Sequence, residues 1–185
     1  MNVNVTSKEE ILSKSRFIVM EQGISAINMR TVAKACGVAV GSIYNYFPSK
    51  SALIMATIED VWNDIFHMSH TNFAFEHVTD CIKWLFESIQ RGCVKYPGFF
   101  TLHSMSFTIE VKENGRYKME HYFAHMKKNL LDVLEKDSNV RSDAFNEKLS
   151  SESFIELIFT LITSMLLRNE TNYEPLLEII ERCIY

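Results

Sequence analysis

An all-α fold is what this sequence predicts, and three observations predict it. Glycine (6) and proline (3) are scarce among 185 residues, which leaves few turns for a chain of short strands. Apolar residues recur at three- and four-residue intervals over most of the length. Residues that start and stop helices bracket those periodic stretches. Apolar residues make up 47% and charged residues 23%, so the chain can bury a core and is not of the disordered class.

Each element can be justified in order. Thr6 and Glu9 have capping-box spacing ahead of a first helix that reaches about Gln22, with Ile11, Leu12, Ser15, Ile18 and Val19 on one face. Gly23 stops it. Asn28 caps a second, shorter helix, "MRTVAKAC", whose Val32, Ala33 and Cys36 face the first; Gly37 ends it. Gly37, Val38 and Ala39 make a tight turn. A third helix is predicted from about Val40 to Phe47, stopped by Pro48, because the residue before a proline is pushed out of the α region. Ser49 caps a fourth helix that runs to about Ser69, with Leu53, Ile54, Ile58, Val61, Trp62, Ile65 and Phe66 at the helical period. At 1.5 Å per residue this rod is about 30 Å long. Further helices are predicted at about 76–96, 99–112, 116–136, 152–168 and 175–185. The polar stretch "DSNVRSDAFNEKLSS" connects the third and fourth of these, and about nine helices result.

The N-terminus "MNVNVTSKEE" lacks the basic and apolar regions of a signal peptide, and no apolar run reaches the roughly 18 residues of a membrane span. Cys36, Cys81, Cys93 and Cys183 are widely spaced and read as reduced thiols of a cytoplasmic protein. The net charge is −4, yet residues 1–50 hold six cations (Lys8, Lys14, Arg16, Arg30, Lys34, Lys50) against Glu9, Glu10 and Glu21. A head of net +3 thus precedes a body of −7, an asymmetry that points toward a polyanionic partner for the head.

Two short helices joined by a tight glycine turn, with one helix before them, have the plan of a helix-turn-helix. A recognition helix enters a major groove about 12 Å wide, so two turns suffice. In the third helix Ile43 and Phe47, four apart, pin the inner face. Gly41, Ser42, Asn45 and Tyr46 fall on the outer side of the helical wheel, and Tyr44 nearer the core. Gly41 lets a partner approach the backbone. Ser42, Asn45 and the Tyr46 hydroxyl supply hydrogen bonds for bases or phosphates. Arg30 and Lys50 flank the face as phosphate clamps.

These residues resemble the DNA-binding head of the TetR family of bacterial transcriptional regulators. The resemblance rests on Ile11-Leu12, on Gly23, on Arg30, Val32, Ala33, Gly37 and Val38, and on "GSIYNYF" from Gly41 with Ser49, Lys50, Leu53 and Ile54. It covers about a quarter of the chain; the rest matches only in length and helix count. It implies a head, residues 1–50, and a ligand-binding and dimerisation body, residues 51–185. It also implies a homodimer on a palindromic duplex, a small-molecule effector, and a fourth helix that carries the effector's influence to the heads. By position, DNA contacts fall on Arg30, Thr31, Val40, Gly41, Ser42, Tyr44, Asn45, Tyr46 and Lys50. The sequence departs from the family at Ala39, where a capping serine is common, and at Val40, often polar, which here either packs or meets a thymine methyl.

In the body, the 152–168 and 175–185 segments carry apolar arcs wider than one core face needs. Phe154, Ile158, Leu161, Ile162, Met165, Leu177, Ile180 and Ile184 are the expected dimer face, pairing as a four-helix bundle. An aromatic and methionine-rich middle supplies the expected pocket for a largely apolar effector: Trp62, Phe66, Phe99, Phe100, His103, Phe107, Tyr122, His125 and Met126. His121 and His125 share a helix face, but Tyr122 stands where the zinc-protease pattern needs a glutamate, and solvated or core histidines are the reading. There is no nucleophile–base pair, phosphate loop or metal triad, so neither enzyme activity nor a cofactor or metal is predicted. The alternative to a regulator is a protein adaptor on the same fold, because no Lys or Arg lies between Lys34 and Lys50.

Overall fold

A computed structural model of the chain describes residues 6–66, 75–99, 114–168 and 170–185, with side chains for all of these except 114–122 and 167. Every regular element among them is a helix: α1 (Lys8–Gln22), α2 (Met29–Cys36), α3 (Val40–Tyr44), α4 (Lys50–Phe66), α5 (Val78–Lys95), α6 (Asn114–Lys136), α7 (Ser151–Leu167) and α8 (Glu174–Ile184), with a 3₁₀ turn at Ile24–Ala26. The helix expected at 99–112 lies, but for Phe99, outside the described residues.

The described residues form two compact units. The first comprises 6–66 with 91–99, and the second 75–90 with 114–168 and 170–185. All of α4 belongs to the first, so that unit extends beyond residue 50.

Capping chemistry explains the head's boundaries. Ser7, not Thr6, is the N-cap of α1: its extended backbone turns Oγ onto the Glu10 amide at 3.1 Å. Thr6 instead donates from Oγ1 to the Glu10 carboxylate at 3.2 Å. The sequence pattern fits both registers, Thr6 with Glu9 and Ser7 with Glu10. The Asn28 carboxamide oxygen accepts from Arg30 and Thr31, capping α2 as expected. Gly37 closes α2 at φ 67°, the left-handed region that glycine enters without steric cost. The Ser49 Oγ accepts from the Ala52 amide at the start of α4.

Ile11, Ser15, Ile18 and Val19 bury the inner face of α1, which packs on α2 and on α4, while α2 packs on α3. Ile43 is fully buried and Phe47 nearly so; these two side chains fasten α3 to the head. The helix itself is shorter than predicted, ending at Tyr44.

In the second unit, α6 packs on α7. Leu130, Val133 and Leu134 of α6, Phe154, Ile155, Ile158, Phe159 and Ile162 of α7, and Leu176, Ile180 and Ile184 of α8 are all buried. This corrects the expected dimer face. Phe154, Ile158, Ile162, Ile180 and Ile184 are core residues of one protomer and are not available to a partner. Leu161 is 45% exposed, Met165 and Leu177 half-buried, and the outward apolar side chains are completed by Leu157 (57%) and Ile179 (51%). Periodicity gives the width of an apolar arc but does not say which part of it faces the core.

Candidate nucleic-acid interface

The outward side of the α2–α3 pair is built by short-range geometry. Asn28 holds the first turn of α2 from below: Oδ1 takes the two backbone amides, and Nδ2 donates to Thr31 Oγ1 at 2.7 Å. Thr31 is thereby oriented, and Arg30, one residue earlier, is exposed. Ala39 offers α3 no side-chain cap, as the sequence indicates. Val40 and Ser42 are half-buried; Gly41 and Asn45 are exposed. A Cβ added to Gly41 would meet nothing within 4 Å, so no contact inside the protein requires glycine there. A helical glycine is destabilising by about 1 kcal/mol relative to alanine, and open space in front of it is what close approach by an external partner needs.

The two tyrosines exchange the places predicted for them. Tyr44 is 52% exposed and lies on the outward side. Tyr46 is half-buried, and its hydroxyl donates to the Thr6 carbonyl at 2.6 Å. That bond ties the end of the turn after α3 to the residue that precedes α1. Tyr46 therefore serves the head's structure, with its proton committed, while Tyr44 faces the solvent. The early end of α3 bears on Tyr46 alone: Asn45 caps the helix and both Tyr46 and Phe47 donate backbone hydrogen bonds to Ile43, whereas Tyr44 lies within the helix and its exposure corrects the wheel directly.

Lys50, the first residue of α4, is exposed. Arg30, Lys34 and Lys50 are the cations nearest α3 in the sequence, and α3 itself has none. Cys36, half-buried at the end of α2, has its thiol pushed up by burial and by the Glu10 charge, which suits packing rather than reactivity.

The residues expected to hold an effector fall in both units. In the first, Trp62, Phe66 and Phe99 are buried on one another: Trp62 stacks on Phe66 at 5.4 Å and meets the edge of Phe99 at 5.8 Å. In the second, His125 is exposed and Met126 half-buried. Phe100, His103 and Phe107 lie outside the described residues, as do the side chains of His121 and Tyr122. Among the described residues no three His, Cys, Asp or Glu side chains group as a metal site, and no helix is long and apolar enough to cross a membrane.

Fold and surface define a class: a three-helix DNA-binding head, with a helix-turn-helix at its centre, carried on a helical body. Residues 7–57 match the sequence model of the family described as "Bacterial regulatory proteins, tetR family". Over the head, residues 7–57, the chain is that of a TetR-family DNA-binding regulator. Over 141 residues it is 25% identical to the nucleoid occlusion factor SlmA of Haemophilus ducreyi, spanning 73% of this chain and 67% of that one. Over 51 residues it is 39% identical to the transcriptional repressor KstR of Mycolicibacterium smegmatis, spanning 28% of this chain and 25% of that one. The solved structure of the multidrug binding protein EbrR, complexed with imidazole, superposes with a TM-score of 0.64 at 18% identity, over all of this chain and 94% of the other. That likeness concerns the fold.

Proposed function

We propose that this regulator is a homodimeric repressor in which residues 1–50 read a palindromic duplex and residues 51–185 dimerise and respond to a largely apolar small molecule. The observation that carries the reading is the outward face of α3. Ile43 and Phe47 are consumed by the core, while Gly41, Tyr44 and Asn45 are exposed with no internal task. Arg30 and Lys50 flank them as cations for phosphates, and Thr31, Val40 and Ser42 complete the surface. Leu157, Leu161 and Ile179 supply apolar area for pairing two protomers, and Trp62, Phe66 and Phe99, buried on one another in the first unit, are the aromatic cluster an apolar effector would meet. The similarity over 51 residues to KstR, a repressor, supports repression.

The lack of a cation on α3 favours a second reading, a protein adaptor on the same fold. Selection from a pool of randomised duplexes separates the two. A DNA reader enriches a two-fold symmetric site whose half-sites are centred about one helical turn, roughly 34 Å, or a multiple of it apart. A pool that stays unenriched after repeated rounds at low salt contradicts the repressor reading.

A further inference from the structure

The least expected polar cluster lies within the first unit. Gly92 stands inside α5, where glycine costs helix stability relative to alanine. A Cβ there would lie 2.9 Å from both Cδ1 and Cγ1 of Ile65 on α4. Glycine thus permits a close crossing of α4 and the end of α5. At that crossing Asp64 of α4 spends its two oxygens in different directions. Oδ2 accepts from Tyr96 Oη at 2.7 Å and from Lys95 Nζ at 2.6 Å. Oδ1 faces Arg16 Nη1 of α1 at 3.5 Å, and the same Nη1 lies 3.4 Å from Asp60 Oδ2. Burial works to raise the Asp64 carboxyl, but the Lys95 and Tyr96 hydrogen bonds and the Lys95 and Arg16 charges hold it below the ordinary carboxylate value. It is therefore ionised and can grip both neighbours at once.

The cluster joins elements with different duties. α1 is a helix of the DNA-reading head. α5 begins in the second compact unit and has its last turn, with Tyr96 beyond it, in the first. Tyr96 is almost fully buried, so its hydroxyl has few alternative positions. The Lys95 limb is an exposed, screened ion pair that adds little to stability, and the Arg16 limb is half-buried; what they fix is geometry.

We propose that Asp64 is the coupling carboxylate of this regulator: through Tyr96 on one oxygen and Arg16 on the other, it ties the position of the end of α5 to that of α1 in the DNA-reading head. Asp64 and Tyr96 are positioning residues in this scheme, since neither touches DNA. The inference rests on the head binding duplex DNA.

Coupling free energy is reciprocal, so occupancy of the head must be felt at the end of α5 even with no effector present. The experiment is amide hydrogen exchange on the full chain, free and saturated with the duplex enriched by selection, with binding followed separately by fluorescence anisotropy. In the wild type, DNA slows exchange at Gly92–Tyr96 by about fivefold or more, the lower end of known couplings. In Tyr96→Phe and Asp64→Asn that change falls below about twofold while the slowing within α3 persists, as loss of coupling without loss of binding requires. Lys95→Ala, which removes only the half-exposed limb, keeps the wild-type response. Tyr96→Phe deletes one oxygen and keeps the ring, so it carries the test should Asp64→Asn fail to fold. Bound duplex with unchanged exchange at 92–96 in the wild type, or an undiminished change in Tyr96→Phe, overturns the proposal while leaving the functional reading intact. Absence of any duplex binding by anisotropy overturns the functional reading, and this proposal with it.

Discussion

Replacing Tyr44 and Asn45 together with alanine lowers affinity for the selected duplex by about 100-fold or more, since each specific contact contributes about 1–3 kcal/mol. Both side chains are exposed, so the thermal unfolding midpoint stays within a degree or two, as for most surface substitutions. Tyr46→Phe does the opposite. It removes the hydroxyl that donates to the Thr6 carbonyl and destabilises the head by about 1 kcal/mol. Its effect on duplex affinity is under about threefold, less than the cost of any one specific contact. Anisotropy titrations paired with thermal melts of the same preparations measure both. If Tyr46→Phe abolished duplex binding and the double variant did not, the outward assignment of Tyr44 would be wrong.

The largest stability effect is expected at Asp137, far from any DNA contact. This buried carboxylate follows α6 and accepts from the Val78 and Asn139 amides, both at 3.1 Å, and from the Tyr185 hydroxyl. His77 Nδ1 lies 3.2 Å from it. It thus holds the start of α5 and Tyr185, the residue after α8, at one point. Asp137→Ala strands these donors and costs about 3 kcal/mol, which for a chain of this length lowers the unfolding midpoint by roughly 6–12 °C. The sign of the pH dependence follows from the carboxyl. Burial works to raise it, but hydrogen bonds from Tyr185, Asn139, His77 and Val78 outweigh that and hold it below its ordinary value. Its contribution is therefore complete above the unfolded-chain value of about 3.9 and is lost as pH falls through the lower folded value. Urea unfolding at neutral pH separates wild type and Asp137→Ala by the full amount, and the gap narrows below about pH 4. A gap that stayed constant into acid would place the stabilisation in packing. On the other side of the bond, the Tyr185 hydroxyl is pushed up to about 12, by burial first and then by Asp137.

Much of the fold was legible because short-range chemistry decides it. Gly23, Asn28 and Gly37 each act through their own backbone or the next turn, and helix ends fall where those residues put them. The predicted 152–168 and 175–185 helices begin one residue earlier, at Ser151 and Glu174, a difference within the fraying of any helix end. What was not legible depends on distant partners. The Tyr46 hydroxyl finds an acceptor 40 residues away, and no local pattern announces the Thr6 carbonyl. The capping-box pattern fits two registers one residue apart, and only the folded turn selects Ser7. The width of the apolar arcs on α7 and α8 is legible, but not which part of each faces the core: Phe154 and Ile158 face inward and Leu157 outward. Asp64 and Asp137 were missed altogether. A lone aspartate on a helix, or just after one, reads as a solvated charge until Tyr96 or Tyr185 is brought to it. The apolar neighbours of Asp64, Trp62 and Ile65, give a hint that it sits at the edge of a buried face.

The most direct test of the account is the salt dependence of duplex binding. Arg30 and Lys50 are exposed cations before and after α3 in the sequence, and α3 has no charge of its own. If they are its phosphate contacts, two protomers engage at least four phosphates. The logarithm of the association constant then falls linearly with the logarithm of salt concentration, with a slope of about −3.5 or steeper. Arg30→Ala and Lys50→Ala each reduce that slope by about two per dimer. Binding that is absent at low salt, or a slope near zero that neither substitution changes, would contradict the assignment of this surface as the DNA-reading face and leave the adaptor reading in its place.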